Sequence, residues 1–280
     1  MADRPDPADV PMYPAATVML VRDLDEVGTG LEVFMLRRTS SAVFGAGMSV
    51  FPGGRVDAAD ATDEVAAYCV GLDDASASAL LGIPARGLAF WVAAVRESFE
   101  EAGVLLARTR DGSPLVVGDD DRHRVHDGEL SIEALCARDG LVLDLSGIVY
   151  VDHWVTPIGE RRRFDTRFFL ARVPDDQDLL HDDVETVESL WIQPSDALAM
   201  AAAGEMTIMP PTMFNLERLA KYDSVDTALD AAVEAGRPTP IQPHLRRDEN
   251  GRFVGVSLPG DDDFETLGGT LPIPEWANKE

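Results

Sequence analysis

Three glutamates within five residues form the part of the sequence best suited to chemistry. Glu97, Glu100 and Glu101 lie in the stretch W-V-A-A-V-R-E-S-F-E-E-A-G-V, which starts at Trp91. In a helix they stand at i, i+3 and i+4, so their carboxylates share one face. Like charges at this spacing repel by roughly 0.2–0.5 kcal/mol per pair even on an exposed helix. Arg96 supplies one compensating charge, and a divalent cation with oxygen ligands would supply the rest.

The remaining residues of the stretch predict a half-buried helix. Val92, Val95, Phe99 and Ala102 lie on or near another face, which can pack into a core. Gly103 suits the C-terminus of the helix. Glutamate-rich helix faces are often only solvated, so this segment alone leaves both interpretations open.

A second motif lies upstream, where F-P-G-G ends at Gly54. F-P-G-G followed by R-E-x-x-E-E-x-G resembles the Nudix box, G-x5-E-x7-R-E-U-x-E-E-x-G-U, in which U is aliphatic. Ser98 stands where an aliphatic residue is usual, and Asp60 stands at the position of the first glutamate. About 28 extra residues separate Asp60 from Arg96 compared with the standard spacing.

The resemblance implies a Nudix-type fold, an α/β/α sandwich around a mixed sheet. It also implies that Glu97 and Glu101 bind Mg²⁺ or Mn²⁺ directly, and that Glu100 is a ligand or a carboxylate behind the ligands. Arg96 would orient this cluster. The reaction implied is hydrolysis of a nucleoside diphosphate linked to another group.

The resemblance implies roles outside the helix as well. Gly53 and Gly54 would form a tight loop that lets the helix carboxylates meet the metal. In such enzymes an acidic residue from a later loop often joins the metal site or acts as the base. Glu185 is the candidate, and Asp182 and Asp183 are equivalent choices in the same acidic loop.

A closer resemblance is to the Nudix branch that includes the vertebrate peroxisomal coenzyme A diphosphatases. It rests on V-F-P-G-G-R-V-D, on the insertion inside the box, on W-V-T-P followed by R-F-D-T-R-F-F-L, and on M-P-P-T. These features span about residues 13–220. The coenzyme A box of another branch is only partly met, since Thr39 and Val43 replace the small residue and the second arginine.

Three functions therefore compete. The first is a diphosphatase acting on coenzyme A or an acyl-coenzyme A. The second is a pyrophosphatase acting on ADP-ribose, NADH or a nucleotide sugar. The third is a non-catalytic Nudix-fold nucleotide sensor, which the three retained glutamates and the absence of a basic module in the sequence disfavour.

Arginines in an acidic chain are the candidates for phosphate binding. The net charge is −26, which argues against a nucleic-acid partner and would repel a phosphate substrate unless cations overcame it. Arg161–Arg163 and Arg167 form the densest positive patch and could hold a pyrophosphate or a 3′-phosphate. Arg38 could do the same at a strand end. Both sets could also be ordinary surface arginines.

The pattern of apolar residues predicts an α/β arrangement. Residues 111–127 read as a loop with three solvated aspartates. The predicted strands are Ala15–Arg22, Leu31–Arg37, Ile148–Val155, Phe164–Val173 and Glu188–Ile192, with hairpins between the first two and between the next two. The predicted helices after the box are Ser131–Arg138, Pro194–Ala203 with Ser195 as N-cap, Pro211–Tyr222 and Asp226–Ala235.

The same pattern predicts a disordered lead-in at residues 1–12, a catalytic domain at 13–222 and an extension packed on it at 223–280. The insertion at 61–89 would cover one rim of the cleft or form a passive surface excursion. The sequence shows no signal peptide and no run of about 18 apolar residues, so we expect a cytoplasmic protein without a membrane partner. A small-molecule nucleotide is the expected partner, and a homodimer is one of the oligomeric states allowed.

Overall fold

The computed structural model describes residues 10–24, 29–38, 47–113, 115–174, 177 and 186–264. The strands in chain order are β1 (Met12–Asp23), β2 (Leu31–Arg38), β3 (Ser49–Val50), β4 (Gly53–Arg55), β5 (Cys69–Val70), β6 (Ala107–Thr109), β7 (Leu141–Asp144), β8 (Ile148–Val155), β9 (Arg163–Arg172), β10 (Thr186–Ile192), β11 (His244–Arg247) and β12 (Phe253–Ser257). The helices are α1 (Asp63–Ala66), α2 (Asp74–Leu81), α3 (Leu88–Ala102), α4 (Asp119–His126), α5 (Ile132–Asp139), α6 (Pro194–Ala202), α7 (Pro210–Leu219) and α8 (Val225–Ala235).

A mixed sheet forms the centre of the fold. Its strand order is β10-β2-β1-β9-β8, with β3 added to β2 and β4 added to β1. The β1–β2 and β8–β9 pairs are antiparallel, as the two predicted hairpins require. β1 and β9 run parallel along most of their length, so strands far apart in sequence lie side by side at the middle of the sheet.

Alternation along β1 divides the core into two layers. Ala16, Val18 and Leu20 pack towards α3, whereas Met19 and Val21 pack towards the other face. That other face is covered by α6, α7 and α8, whose apolar residues belong to the same cluster as Met19. Because side chains alternate across a strand, the sheet buries both faces, and the predicted α/β/α sandwich is confirmed.

Helix α3 is buried more completely than its sequence predicts. Every residue of α3 except Arg96 is buried. At its C-terminus Gly103 adopts φ +70°, and its N–H donates to the carbonyl of Phe99, a glycine cap of the usual left-handed kind. The Ser98 hydroxyl donates to the carbonyl of Val104 at 2.7 Å. A serine at this box position therefore satisfies a buried carbonyl beyond the helix end.

Two predictions of local structure are wrong. The aspartates at 119–121 are not loop residues but the first turn of α4, where negative charge is stabilised by the helix dipole. Asp121 also binds Arg138 through two hydrogen bonds of 2.7 Å. The N-cap of α6 is Gln193 rather than Ser195. Proline at the first helical position shifts the start by two residues, because its missing N–H costs nothing there.

Two described segments after residue 223 pack against the sheet. The backbone N–H of Val225 donates to Asp23 at 2.8 Å. Ile241 exchanges backbone hydrogen bonds of 2.8 Å with β8, accepting from Val155 and donating to His153. β11 and β12 then form an antiparallel hairpin. None of the helices formed by the described residues has the length and apolar character needed to cross a membrane.

Candidate active site

Two glycines bring the end of α3 to the edge of the sheet. A Cβ at Gly54 would lie 2.4 Å from Oε1 of Glu97, and a Cβ at Gly53 would lie 2.6 Å from the carbonyl oxygen of Ala16. Both distances are too short for a real carbon atom, so only glycine fits. The Gly53 N–H donates to Oε2 of Glu101 at 2.9 Å. The glycines thus fix two carboxylates against the backbone of β4.

Arg96 holds the carboxylates of the helix to the upstream segment. Its Nη1 donates to Glu97 at 2.7 Å and to Glu100 at 3.2 Å. Nε and Nη2 each donate to Asp60 at 3.0 Å, and Nη2 also donates to the carbonyl of Arg55 at 2.7 Å. Asp60 therefore binds Arg96 in a bidentate pair. Despite the intervening insertion, it reaches the helix from the position of the first box glutamate.

The cluster carries more negative than positive charge. Burial raises the pKa of Glu97 well above its ordinary value; Arg96 opposes this, and the charges of Glu101 and Glu100 add to it. Burial also raises the pKa of Glu100 and Asp60, again against the effect of Arg96. One guanidinium thus compensates only part of the buried carboxylate charge. A cation at this point would favour the ionised forms.

Carboxylate oxygens are suitable ligands for a divalent cation. The carboxylates of this site do not surround a cation completely. Among the residues that the structure describes, no three His, Cys, Asp or Glu side chains are arranged to hold an ion by themselves. Glu97 and Glu101 line the adjacent cleft, whereas Glu100 is held back by Arg96. Mg²⁺ commonly uses one or two carboxylates together with waters and substrate phosphates. Glu185 lies outside the described residues.

The cleft has a volume of about 1030 Å³ and two chemically different parts. At one part lie the carboxylates of Glu97 and Glu101, the two glycines and the guanidinium of Arg38. The rest is walled mainly by apolar side chains. These include Phe51, Trp154, Phe164, Phe168, Leu245 and Phe253. None of the residues 61–89, all of which are described, lines it, so the insertion does not form its rim.

The predicted arginine patch is divided between the cleft, which Arg162 lines, and the opposite face of β9, which carries Arg163 and Arg167. Phe164, Thr166 and Phe168 point into the cleft, so the odd-numbered residues face α3, as strand alternation requires. Arg167 is 2% exposed, forms an ion pair with Asp165, and lies 4.5 Å from the ring centre of Phe90.

Arg163 is also buried, and its Nε donates to the Thr156 carbonyl at 3.3 Å. Neither Arg163 nor Arg167, both predicted as substrate-binding residues, lines the cleft. The alternation in R-F-D-T-R-F-F already indicates that Arg163 and Arg167 share one face of the strand and that Phe164 and Phe168 share the other.

Arg38 and Arg162 are the arginines that do reach the cleft from the predicted segments, and Arg55 joins them from β4. The Nε of Arg38 is buried and has no hydrogen-bond partner among the described residues. A buried N–H without a partner costs free energy unless something accepts from it. Its position beside the carboxylate end makes a ligand oxygen a suitable acceptor.

Sequence reasoning missed Arg122 and the apolar walls of the cleft. Arg122 is 1% exposed, and its Nη1 donates to the backbone carbonyl of Glu100 at 3.0 Å. It therefore satisfies a carbonyl in the last turn of α3 from the helix that was predicted as a loop. The aromatic residues of β8 and β9 were predicted only as strand residues, because sequence alone does not show which strands face a cleft.

The comparisons with known proteins agree with this geometry. The family model described as the NUDT19 Nudix domain matches residues 72–219. The acyl-coenzyme A diphosphatases NUDT19 of Gallus gallus and Homo sapiens are 31% and 30% identical, and each match covers 70% of this chain. The chain spans 62% of the length of each of these relatives.

A solved structure supports the fold. The crystal structure of a Nudix hydrolase from Alicyclobacillus acidocaldarius superimposes with a TM-score of 0.68 at 27% identity, covering 79% of this chain and 97% of that one. The box residues, the sandwich fold and the family match agree. The chain therefore belongs to the Nudix hydrolase family, in the NUDT19 branch.

Proposed function

We propose that the protein hydrolyses the pyrophosphate bond of coenzyme A or an acyl-coenzyme A in a reaction that depends on Mg²⁺ or Mn²⁺. The observation that carries this proposal is the two-part cleft. Paired carboxylates and Arg38 lie at one part, and a long apolar wall extends from it. A coenzyme A thioester has the same division, with a charged pyrophosphate and a largely uncharged arm. The names of the chicken and human relatives support the same substrate class.

The residues of the chain prepare the site in three ways. Arg96 and Gly53 fix the orientation of Glu97 and Glu101, which would hold the cation. When bound, the cation would neutralise phosphate oxygens and lower the pKa of a water molecule. Arg38 would donate charge-assisted hydrogen bonds to the phosphates.

Water would attack one phosphorus, the P–O bond of the anhydride would break, and the other phosphate would leave. A carboxylate of the site would accept the proton, and Glu185 is the candidate predicted from the sequence. The products would be a 3′,5′-phosphorylated adenosine and a phosphopantetheine.

ADP-ribose and NADH satisfy the carboxylate end equally well, but beyond the pyrophosphate they carry a polar ribose, whereas this part of the cleft is mainly apolar. The test is release of products from coenzyme A, acyl-coenzyme A, ADP-ribose, NADH and dinucleoside polyphosphates, first with Mg²⁺ and then with Mn²⁺. We expect preferred cleavage of coenzyme A derivatives. Preference for ADP-ribose or NADH would overturn the substrate, and no product at any metal concentration would favour a nucleotide sensor.

A further inference from the structure

The hairpin β11–β12 forms an apolar wall of the cleft. Leu245, Phe253 and Val256 line it together with Pro243, which precedes the hairpin. Phe253 is 60% exposed, and it is continuous with the apolar lining formed by Leu245 and Val256. Contiguous exposed apolar surface of this kind is typical of ligand-binding grooves. The hairpin follows residue 219, where the match to the family model ends.

A β-bulge explains why these side chains share one face. Phe253 and Val256 are three residues apart and would face opposite sides of a regular strand. The register shifts so that Arg246 pairs with Gly255 and Arg247 with Phe253, which leaves Val254 as the extra residue. A bulge of this kind redirects side chains. Phe253 and Val256 therefore both join Leu245 on the cleft side.

The other side of the hairpin is charged and fixed. Nε of Arg246 donates to Asp263 at 2.7 Å, and the Ser257 hydroxyl donates to Asp263 at 3.0 Å. On the cleft side a Cβ at Gly159 would lie 3.1 Å from Leu245, so the β8–β9 turn packs closely on the hairpin. These contacts hold the hairpin in place with Leu245, Phe253 and Val256 towards the cleft. Arg247, which pairs with Phe253, lies beside Leu245 at the β8–β9 turn.

The topology sets the distance between the hairpin and the carboxylates. At the level of Gly54, the strands β4, β1, β9 and β8 and the segment at Ile241 are successive neighbours. Four spacings of about 4.8 Å place this segment roughly 19 Å from β4. The arm of coenzyme A has 12 bonds between its phosphate ester oxygen and its sulfur, or about 15 Å when extended on the scale of a peptide chain.

We propose that β11–β12 is the acyl-group subsite, so that Leu245, Phe253 and Val256 select fatty acyl-coenzyme A over free coenzyme A. This inference rests on the proposed function, since it assumes that the pyrophosphate lies at Glu97 and Glu101. With the pyrophosphate there, the sulfur reaches the β8 edge and the acyl carbons cover the hairpin. The occupant is therefore a linear acyl chain of several carbons.

The chain offers a matched pair of variants. Val254 is as exposed as Phe253, at 60%, and is its neighbour on β12, but it does not line the cleft. Phe253→Ser and Val254→Ser therefore remove comparable exposed apolar groups, and only the first changes the proposed subsite. Both should fold, which a thermal unfolding scan checks.

The experiment measures kcat/KM for coenzyme A and for its acetyl, hexanoyl and decanoyl thioesters with Mg²⁺. In the wild type we expect kcat/KM to rise with chain length, by at most about fourfold per methylene. Phe253→Ser should lower the value for decanoyl-coenzyme A by about tenfold, which is several times more than any loss for coenzyme A. Val254→Ser should change neither by more than twofold.

Two failures are distinguishable. If the wild type cleaves coenzyme A but chain length has no effect, or if Phe253→Ser lowers all substrates equally, the hairpin is not an acyl subsite and the diphosphatase proposal stands. If the wild type cleaves no coenzyme A derivative with either metal, both the proposed function and the proposed acyl subsite are wrong.

Discussion

Two clusters of buried charge lie along helix α3, one near each end. Near the N-terminal end, Arg167 stacks on Phe90 and pairs with Asp165, which lies 2.5 Å from Nε2 of His153. Near the C-terminal end, Arg96 is surrounded by Asp60, Glu97 and Glu100.

Charge balance separates the two clusters. Burial alone would raise the pKa of Asp165, but the hydrogen bond to His153 and the charge of Arg167 outweigh it, and the pKa is lowered. Burial lowers the pKa of His153, which favours the neutral ring. One carboxylate then meets one guanidinium. Burial raises the pKa of Glu97, the charge of Arg96 does not outweigh it, and the charges of Glu101 and Glu100 add to it.

Charge balance thus distinguishes a structural cluster from a functional one. In a balanced buried pair the chain itself supplies the opposite charge, and breaking the pair leaves an unpaired buried charge. An unbalanced carboxylate cluster that opens into a cleft destabilises the fold through repulsion between its charges, and a bound cation would offset this repulsion. The predictions below test this distinction.

The largest effect is expected for the carboxylates that reach the cleft. Glu101→Gln should lower kcat by about 10²–10³-fold, the usual loss for one electrostatic group at a reacting centre. Glu100→Gln is the matched control, because Glu100 belongs to the same helix turn but is held by Arg96 away from the cleft. Glu100→Gln should lower kcat by roughly 10-fold, the usual effect of removing a group that contacts a metal ligand rather than the metal. Steady-state kinetics with saturating Mg²⁺ measure both, and equal losses would contradict the geometry.

Gly54→Ala should break the same cluster without changing any charge. The added Cβ would lie 2.4 Å from Oε1 of Glu97, so the carboxylate or the β4 backbone must move. A displacement of about 1 Å at a catalytic group can cost about 10²-fold in rate. Gly147→Ala is the control, since nothing lies within 4 Å of its Cβ. If Gly54→Ala retained full kcat, Glu97 would not need its present position.

The carboxylate end of the cleft was largely predictable from the sequence. Glu97, Glu101 and the glycines are local to two short motifs, and their geometry follows from one helix and one turn. Asp60 also lies where the box places its first acidic residue. These relations depend on few torsion angles, so sequence spacing specifies them.

The faces of the long strands were harder to predict. Arg163 and Arg167 were assigned to the substrate because positive residues are rare in this chain, yet alternation along β9 turns them towards α3. The aromatic wall depends on β1 pairing with β9 across about 150 residues, and on a hairpin that reaches back to β8. Contacts at such sequence separation are set by tertiary packing, which local patterns do not contain.

The smallest predicted effect on activity, and the clearest one on stability, concerns the balanced cluster. Asp165→Asn should lower the free energy of unfolding at pH 7 by about 3 kcal/mol, because it leaves the charge of Arg167 buried and unpaired. Asp144→Asn, which removes a surface pair with Arg108, should cost at most about 1 kcal/mol. Glu97→Gln should not destabilise the protein, since it replaces a buried carboxylate by a neutral amide. The raised pKa of Glu97 means that its charged form is unfavourable at this position.

The pH dependence of Asp165→Asn has a defined sign. The folded-state pKa of Asp165 is lowered, so its stabilisation is fully present above its unfolded pKa of about 3.9 and is lost as pH falls through the folded value. The difference between wild type and Asp165→Asn should therefore be constant between pH 5 and 7 and narrow below about pH 4. Urea unfolding at several pH values measures it. A loss of turnover without a loss of stability would place Asp165 in the catalytic site, and the contrast between the two clusters would fail.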